Sequence, residues 1–358
     1  MYNSEVHALG VKIKLDITAV DLFCGVGGLT HGLEREGINV VAGIDVDLAS
    51  KFPYESNNAS QFLLQDVSAV KSTQIKNLFK NCDISLLAGC APCQPFSTYS
   101  QGSRGAKDDK WALLMQFGRL IRLVKPDLVT MENVPQLKNH DVYHDFVASL
   151  KGLGYSVHSE VVSCEKYGLP QTRKRLVLLA SRLGDIKLIP PPRRLTKSKT
   201  VADTIKGLPV LQAGSFSKKD PMHKCSSLSD LNMQRIKISK PGGSWRDWPR
   251  KLVADCHKKP SGNSYPAVYG RMEWGKPSPT ITTQFYGFGN GRFGHPSQNR
   301  ALSLREGALL QGFPKAYQFV RPGDTVETVT VGRLIGNAVP VTLGRVIGKS
   351  INQHVRSL

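Results

Sequence analysis

Three places in this chain carry side chains whose type and spacing could do chemistry. The first is Cys93, within Ala88-Gly89-Cys90-Ala91-Pro92-Cys93-Gln94-Pro95-Phe96-Ser97. It follows an apolar run that reads as a buried strand, and it stands between two prolines whose fixed φ stiffens the loop. A thiol held there suits a positioned nucleophile. Two other roles fit the same residues: Cys90-Ala91-Pro92-Cys93 has the spacing of a thiol–disulfide exchange motif, and a buried cysteine can be purely structural. The second place is Glu132, in Met131-Glu132-Asn133-Val134-Pro135. A partly desolvated carboxyl group there could stay protonated near neutral pH and donate to a ring nitrogen; alternatively it is a surface glutamate opening a helix. The third is Gln171-Thr172-Arg173-Lys174-Arg175. It precedes a strand, so alternation puts Arg173 and Arg175 on one face, and an exposed strand decorated with arginine is the plainer alternative.

A fourth stretch could hold a ligand rather than transform one. The first strand runs into Asp21-Leu22-Phe23-Cys24-Gly25-Val26-Gly27-Gly28-Leu29. Closely spaced glycines between a strand and a helix let backbone approach a ligand at the carboxyl edge of a parallel sheet. Asp45, twenty residues after Gly25, could accept both ribose hydroxyls of a nucleoside. A dinucleotide fingerprint would need glycine where Thr30 stands. That weakens a pyrophosphate and favours a nucleoside without phosphates, while a tight turn with no ligand stays open.

These residues need a scaffold that brings strand ends together. Ala19–Phe23, Val40–Asp45, Ile84–Gly89, Leu128–Glu132, Val157–Cys164 and Leu176–Ser181 read as strands. Leu29–Glu36, Ser68–Lys80 and Trp111–Val124 read as helices, the last with Leu113, Leu114, Phe117, Leu120, Ile121 and Val124 at helical spacing. Such alternation predicts an α/β fold with a mostly parallel sheet covered on both faces. The pattern stops near Leu183, at the stiff basic segment Ile189-Pro190-Pro191-Pro192-Arg193-Arg194. From there to about residue 300 the chain is rich in Gly, Pro, Lys and Ser. It has short β-like runs such as Thr280–Thr283 and no sustained helical period, and it reads as a second, loop-heavy, partly β domain. Val339–Ile351 closes the chain as an apolar helix.

The 358 residues carry 48 Lys+Arg against 28 Asp+Glu, a formal charge of +20, and the excess is one-sided. Residues 1–180 hold 19 basic and 18 acidic groups, whereas residues 181–260 hold 18 and 6. A near-neutral half joined to a strongly basic one points to a phosphate-backbone partner. Seven cysteines, an odd number without a secretory leader, argue against a disulfide framework. Cys90-x-x-Cys93 has no companion pair to complete a zinc site, so no metal is expected. No apolar run of eighteen or more residues predicts a membrane span, and a cytoplasmic, nucleoid-associated protein is expected.

Taken in order, Phe23-x-Gly25-x-Gly27-Gly28, Pro92-Cys93-Gln94, Glu132-Asn133-Val134, Gln171-x-Arg173-x-Arg175 and Gly336-Asn337-Ala338-Val339-Pro340 resemble the motif series of the DNA (cytosine-5)-methyltransferases of bacterial or phage type. Arg305-Glu306-Gly307-Ala308-Leu309-Leu310-Gln311-Gly312-Phe313-Pro314 resembles the segment that precedes the last motif. The resemblance covers residues 19–181 and about 268–348. It implies a Rossmann-like S-adenosylmethionine-dependent methyltransferase sheet with a second, smaller target-recognition domain. The catalytic part would be residues 1–184 and 325–358, and the target-recognition part residues 185–324.

The resemblance also implies roles. Cys93 adds to cytosine C6 on a base flipped out of the duplex, Glu132 stabilises the adduct at N3 and the exocyclic amine, Arg175 holds O2, and Arg173 positions the loop and phosphate. S-adenosylmethionine would be held by Phe23, Gly25, Gly27, Gly28, Leu29, Asp45, Val46, Asp66, Val67, Pro92, Leu113, Asn337 and Val339. Val46 departs from the pattern, since a bulky aromatic often stands there. Cys90 is unusual beside the nucleophile, and a Cys90–Cys93 disulfide would inactivate such an enzyme. The expected substrate is double-stranded DNA read by a monomer, with a restriction endonuclease as functional counterpart; a tRNA substrate is the nearest rival. Arg193, Arg246 and Arg271 are candidate base readers.

Overall fold

The computed structural model describes residues 15–92, 111–194 and 196–358; Cys93 and the rest of its loop lie outside them. Seven strands, β1 (Ile17–Leu22), β2 (Asn39–Asp45), β3 (Gln61–Leu64), β4 (Ile84–Gly89), β5 (Leu128–Asn133), β6 (Ser156–Ser163) and β7 (Lys174–Ser181), form one sheet in the order β3-β2-β1-β4-β5-β7-β6. The pairs among the first five strands are parallel; β7 runs antiparallel to both β5 and β6. The sequence predicts most of this. The β6–β7 hairpin folds back along the edge, because the short stretch between the two strands is too short for a crossover helix.

Both faces are covered. Ile17, Ala19, Leu86, Ala88 and Val177 pack beneath α1 (Gly28–Glu34) and the C-terminal α11 (Val341–Arg356), meeting Leu29, Leu33, Leu343 and Ile347. On the other face Val20, Leu22, Leu87, Met131 and Leu178 pack beneath α3 (Ser72–Leu78), α4 (Ala112–Val124) and α5 (Asp141–Gly152), meeting Ile75, Phe117, Leu120 and Phe146. The alternation along each strand is what divides these two cores. Helices α1 and α11 approach so closely that a Cβ on Gly32 would sit 2.6 Å from backbone of Gly344, so the chain ends by returning to its first helix.

A third core lies beyond the sheet. Val201 and Ile205 of α6 (Val201–Ile205) meet Phe285, Leu302, Phe313 and Val326. Leu304 and Ala308 of α9 (Leu304–Leu310) and Leu334 of α10 (Thr328–Asn337) join them. Around residue 245 a smaller cluster gathers Trp245, Trp248, Leu252, Phe288 and Ile236, the last from α7 (Asp230–Ile238), with His257 of α8 (Asp255–Lys258) stacked on Trp245. The only other strands among the described residues are β8 (Phe216–Ser217) and β9 (Asp220–Lys224), a short hairpin.

Several expectations change. Thr280–Thr283 is not a strand but a turn-and-coil segment, held by side chains of the arginine motif rather than by a ladder. The helix expected over Ser68–Lys80 begins at Ser72, since Asp66 caps a separate short turn at Val67–Ala69. The final helix begins at Val341, because Ala338 and Pro340 are extended. The sequence pattern does not predict the helix α2 (Lys51–Asn57), strand β3 or helices α5, α6, α7, α9 and α10. Most are short, and none shows a long apolar period.

Candidate active site at the carboxyl edge

Strand order reverses at β1 and β4, where Leu22 pairs with Gly89. Loops leaving adjacent parallel strands in opposite directions open a crevice at such a point. The glycine loop leaves β1 here, and the Cys90–Cys93 loop leaves β4. Strand β5 is parallel to β4, with Gly89 opposite Met131, so Glu132 emerges one residue further on at the same edge. Strand β7 is antiparallel, so it begins at this edge, and the arginine motif arrives with it.

Glu132 is 3% exposed. Its register partner is Val177, which faces the α1–α11 side, and Arg175, two residues earlier on β7, shares that side. Arg175 Nε lies 2.9 Å from Glu132 Oε1. The contact is an ion pair without hydrogen-bond alignment, and Oε1 accepts no hydrogen bond among the described residues. The other oxygen, Oε2, accepts from the Cys90 thiol at 2.9 Å. Asn133 adds a second tie between the strand ends, donating from Nδ2 to Ala91 O at 3.0 Å.

Arg173 precedes the strand and is buried. It donates to Ile281 O at 3.0 Å and to Gly336 O at 3.4 Å. Its burial, with the Arg175 charge nearby, lowers it to about 9. Gln171 works alongside, accepting from Ile281 N at 2.9 Å and donating to Gln311 Oε1 at 2.8 Å, while Gln311 donates to Ala338 O at 2.8 Å. The arginine motif thus clamps the 281 segment to the turn that carries Asn337.

The glycine loop is shaped by three residues with left-handed backbone, Phe23 at φ 56°, Gly25 at φ 50° and Gly27 at φ 83°. A Cβ on Gly25 would meet nothing within 4 Å, so the loop faces open space. A Cβ on Gly28 would lie 2.1 Å from Val339 O, which seats the loop against the terminal motif. Asp45 Oδ2 accepts from Gly25 N and Oδ1 from Asp47 N, each at 2.9 Å. Burial raises the Asp45 carboxyl despite these contacts.

Asp66 lies two residues beyond Leu64, the β3 partner of Asp45 on β2, and Val46, the residue after Asp45, is 63% exposed. An exposed apolar side chain following the Asp45 carboxylate could face an adenosine. The loop has already spent the Gly25 amide on Asp45, and Arg333, the nearby cation, is paired with Asp47 at 2.6 Å. Neither is left for phosphate. Val67 and Leu29 are buried in the two flanking cores, so they support the pocket from beneath. Pro92 and Leu113 stand on either side of the stretch 93–110, which lies outside the described residues. Asn337 is exposed at the end of α10.

Two features carry no signal in the sequence, and one expectation is corrected. Asp21 is 1% exposed, and burial raises it to about 7. Its Oδ2 accepts from Thr30 Oγ1 at 2.7 Å and Oδ1 has no partner among the described residues. The Arg333–Asp47 pair joins residues 286 apart, and no local signal could reveal it. Arg271 is a correction. It is 5% exposed and spends its guanidinium on the carbonyls of Ser239, Ile236, His295 and Gln298 and on Asn299 Oδ1, so it cannot read a base. Arg193 and Arg246 are exposed.

Among the described residues no His, Cys, Asp and Glu group is placed to hold a metal, and no helix is long and apolar enough to cross a membrane. A family model for C-5 cytosine-specific DNA methylases matches residues 17–353. The type II methylase M.HgiDII of Herpetosiphon aurantiacus is 52% identical over 342 residues, covering 95% of this chain and 96% of that protein. The type II methyltransferase M1.BsuMI of Bacillus subtilis is 32% identical over 354 residues, covering 91% and 78%. In three dimensions a prophage-encoded Escherichia coli protein superposes with a TM-score of 0.72 at 22% identity, covering 95% of this chain and 99% of the other. The methyltransferase EhMeth of Entamoeba histolytica does so at 0.65 and 15% identity, covering 95% and 99%.

Proposed function

The chain belongs to the C-5 cytosine-specific DNA methylases, and from that premise we propose that it methylates a cytosine within a specific sequence of double-stranded DNA through a covalent Cys93–C6 adduct on a flipped-out base. It is a DNA cytosine-5-methyltransferase of restriction–modification type. The observation that carries the finer reading is the buried Glu132 carboxyl. It is gripped by Cys90 and Arg175 and stands one strand from the loop of Cys93, and its Oε1 accepts no hydrogen bond among the described residues.

Cytosine C5 is a weak nucleophile. Addition of the Cys93 thiolate to C6 makes C5 enamine-like and able to gain a methyl group; loss of the C5 proton to water then expels the thiolate by β-elimination. A free thiol near ~8.5 needs nearby positive charge to ionise, and Arg175 on β7, with Arg173 just before that strand, brings positive charge to the same edge of the sheet. Glu132 holds N3 and the exocyclic amine, where charge builds, and Arg175 holds O2. Arg173 acts through the Ile281 and Gly336 carbonyls. S-adenosylmethionine, the cofactor of this family, supplies an electrophilic methyl group. Phe23, Gly25, Asp45, Val46, Asp66 and Asn337 fit its adenosyl and methionine parts. The base must leave the stack, at a cost of a few kcal/mol.

Residues 185–324 would read the target, with the sheet, α10 and α11 doing chemistry. We propose a monomer, and the type II names of the relatives fit an enzyme that works beside a cognate endonuclease. Transfer of label from S-adenosylmethionine to unmethylated duplex DNA, but not to tRNA, and its loss in Cys93→Ser, is the expected result. Folded wild-type protein that labels no DNA refutes the reading.

The charge distribution supports a DNA-gripping surface. Lys197, Lys199, Lys218 and Lys219 are exposed, the last two at the turn of the β8–β9 hairpin. Changing all four to Gln should weaken DNA binding and flatten the slope of log K against log salt, by up to about 0.9 per lost phosphate contact. Cofactor affinity should not move, and an equal loss of both would assign these lysines to folding.

A further inference from the structure

We propose that Cys90 is a positioning residue for methyl transfer: its thiol holds one oxygen of Glu132 so that the other, Oε1, is the oxygen presented to the target base. The proposal rests on the reading of Glu132 given above.

The geometry is specific. Cys90 is the first residue beyond β4, and Glu132 is the fifth of six in β5. The parallel register of Gly89 with Met131 sets them side by side at the edge of the crevice. The thiol donates to Oε2 at 2.9 Å. Burial and the neighbouring Glu132 charge push the thiol well above its usual range, so it remains protonated and remains a donor. Arg175 reaches the opposite side of the carboxyl, 2.9 Å from Oε1 but out of line for a hydrogen bond.

A carboxyl group turns freely about its last torsion unless something fixes its plane. Here the thiol on β4 and the guanidinium on β7 fix it from two strands. One oxygen accepts from the thiol, and the other is buried beside the guanidinium without an accepted hydrogen bond among the described residues. A buried oxygen in that condition costs free energy, and an incoming cytosine edge would repay it. Cys90 does not itself touch the reacting atoms in this account. It also packs against the core under α1 and α11, so a purely structural role is the alternative to be tested.

The test uses the full chain and three substitutions, Cys90→Ala, Cys90→Ser and Cys90→Gly. Single-turnover methyl transfer to duplex DNA is measured beside DNA affinity, S-adenosylhomocysteine affinity and melting temperature. Cys90→Ala should slow the single-turnover step by about tenfold, the usual worth of a hydrogen bond to a charged group. Both affinities should stay within about twofold, and Cys90→Ser, which keeps a donor, should recover most of the rate. Cys90→Gly repeats the comparison should the alanine variant melt early. An unchanged rate in Cys90→Ala, or a serine variant as slow as alanine, overturns the proposal. Absence of transfer by wild-type protein instead overturns the reading of the active site, so the two failures are distinct.

Discussion

Replacing Glu132 with alanine should lower single-turnover methyl transfer by about a thousandfold while leaving cofactor binding within a few fold. Acid–base assistance by one placed side chain is typically worth about 10²–10⁴ in rate. Preorganised groups aimed at developing charge are worth a similar amount. Glu132 does both in the proposed mechanism: it meets N3 as charge builds there after Cys93 adds to C6. The deletion has a second cost. Arg175 loses the carboxylate at 2.9 Å and Cys90 loses its acceptor, so two polar groups at the crevice lose their counterpart. Glu132→Gln preserves shape and the bond from Cys90 but removes the ionisable group, and it should remain slowed by at least about a hundredfold. Rapid-quench measurement with labelled cofactor checks both. A Glu132→Ala enzyme within tenfold of wild type would mean that the base is activated elsewhere.

The largest stability effect is expected far from that chemistry. Arg300 is fully buried and forks onto Glu306, with both N–O distances 2.7 Å. Glu306 Oε2 also accepts from Ser303 N at 2.7 Å, closing the capping box that starts α9. His295 stands 3.7 Å away. Removing one partner of a buried pair strands the other charge, at about 3–5 kcal/mol. For a cooperative chain of this length that is a fall of about 4–7 °C in melting temperature. Glu306→Ala should show it, and the double change Arg300→Met with Glu306→Leu should recover much of it.

The same cluster sets a pH dependence. Burial alone would raise Glu306, but the Arg300 contacts hold its carboxyl below the usual range. Burial lowers His295 to about 4. Both groups bind fewer protons folded than unfolded, so stability falls as pH drops from about 6.5 towards 4, and falls further as Glu306 takes up its proton. Melting curves across that range check the sign. Equal melting temperatures at pH 7 and pH 4.5 would contradict it.

Part of this protein was written locally. The strands β1, β2, β4 and β5 show as apolar runs because a strand buried on both faces needs little else. The glycine loop, Asp45, Glu132 and the arginine motif show because each sits where a strand ends, and strand ends are marked by neighbouring residues. The one-sided charge shows in the same way, as a sum over adjacent positions.

What the chain could not display along its length is who meets whom. Cys90 and Glu132 are 42 residues apart and touch only because β4 and β5 are parallel neighbours in a particular register. Arg271 and Arg300 look like any surface arginines, yet both are buried, because folded carbonyls and Glu306 surround them. Arg333 reaches Asp47 across 286 residues. Strand ends and charge excess depend on neighbours in sequence, so the sequence by itself determined them. Partner choice depends on register and packing between distant segments, and only the tertiary structure decided it.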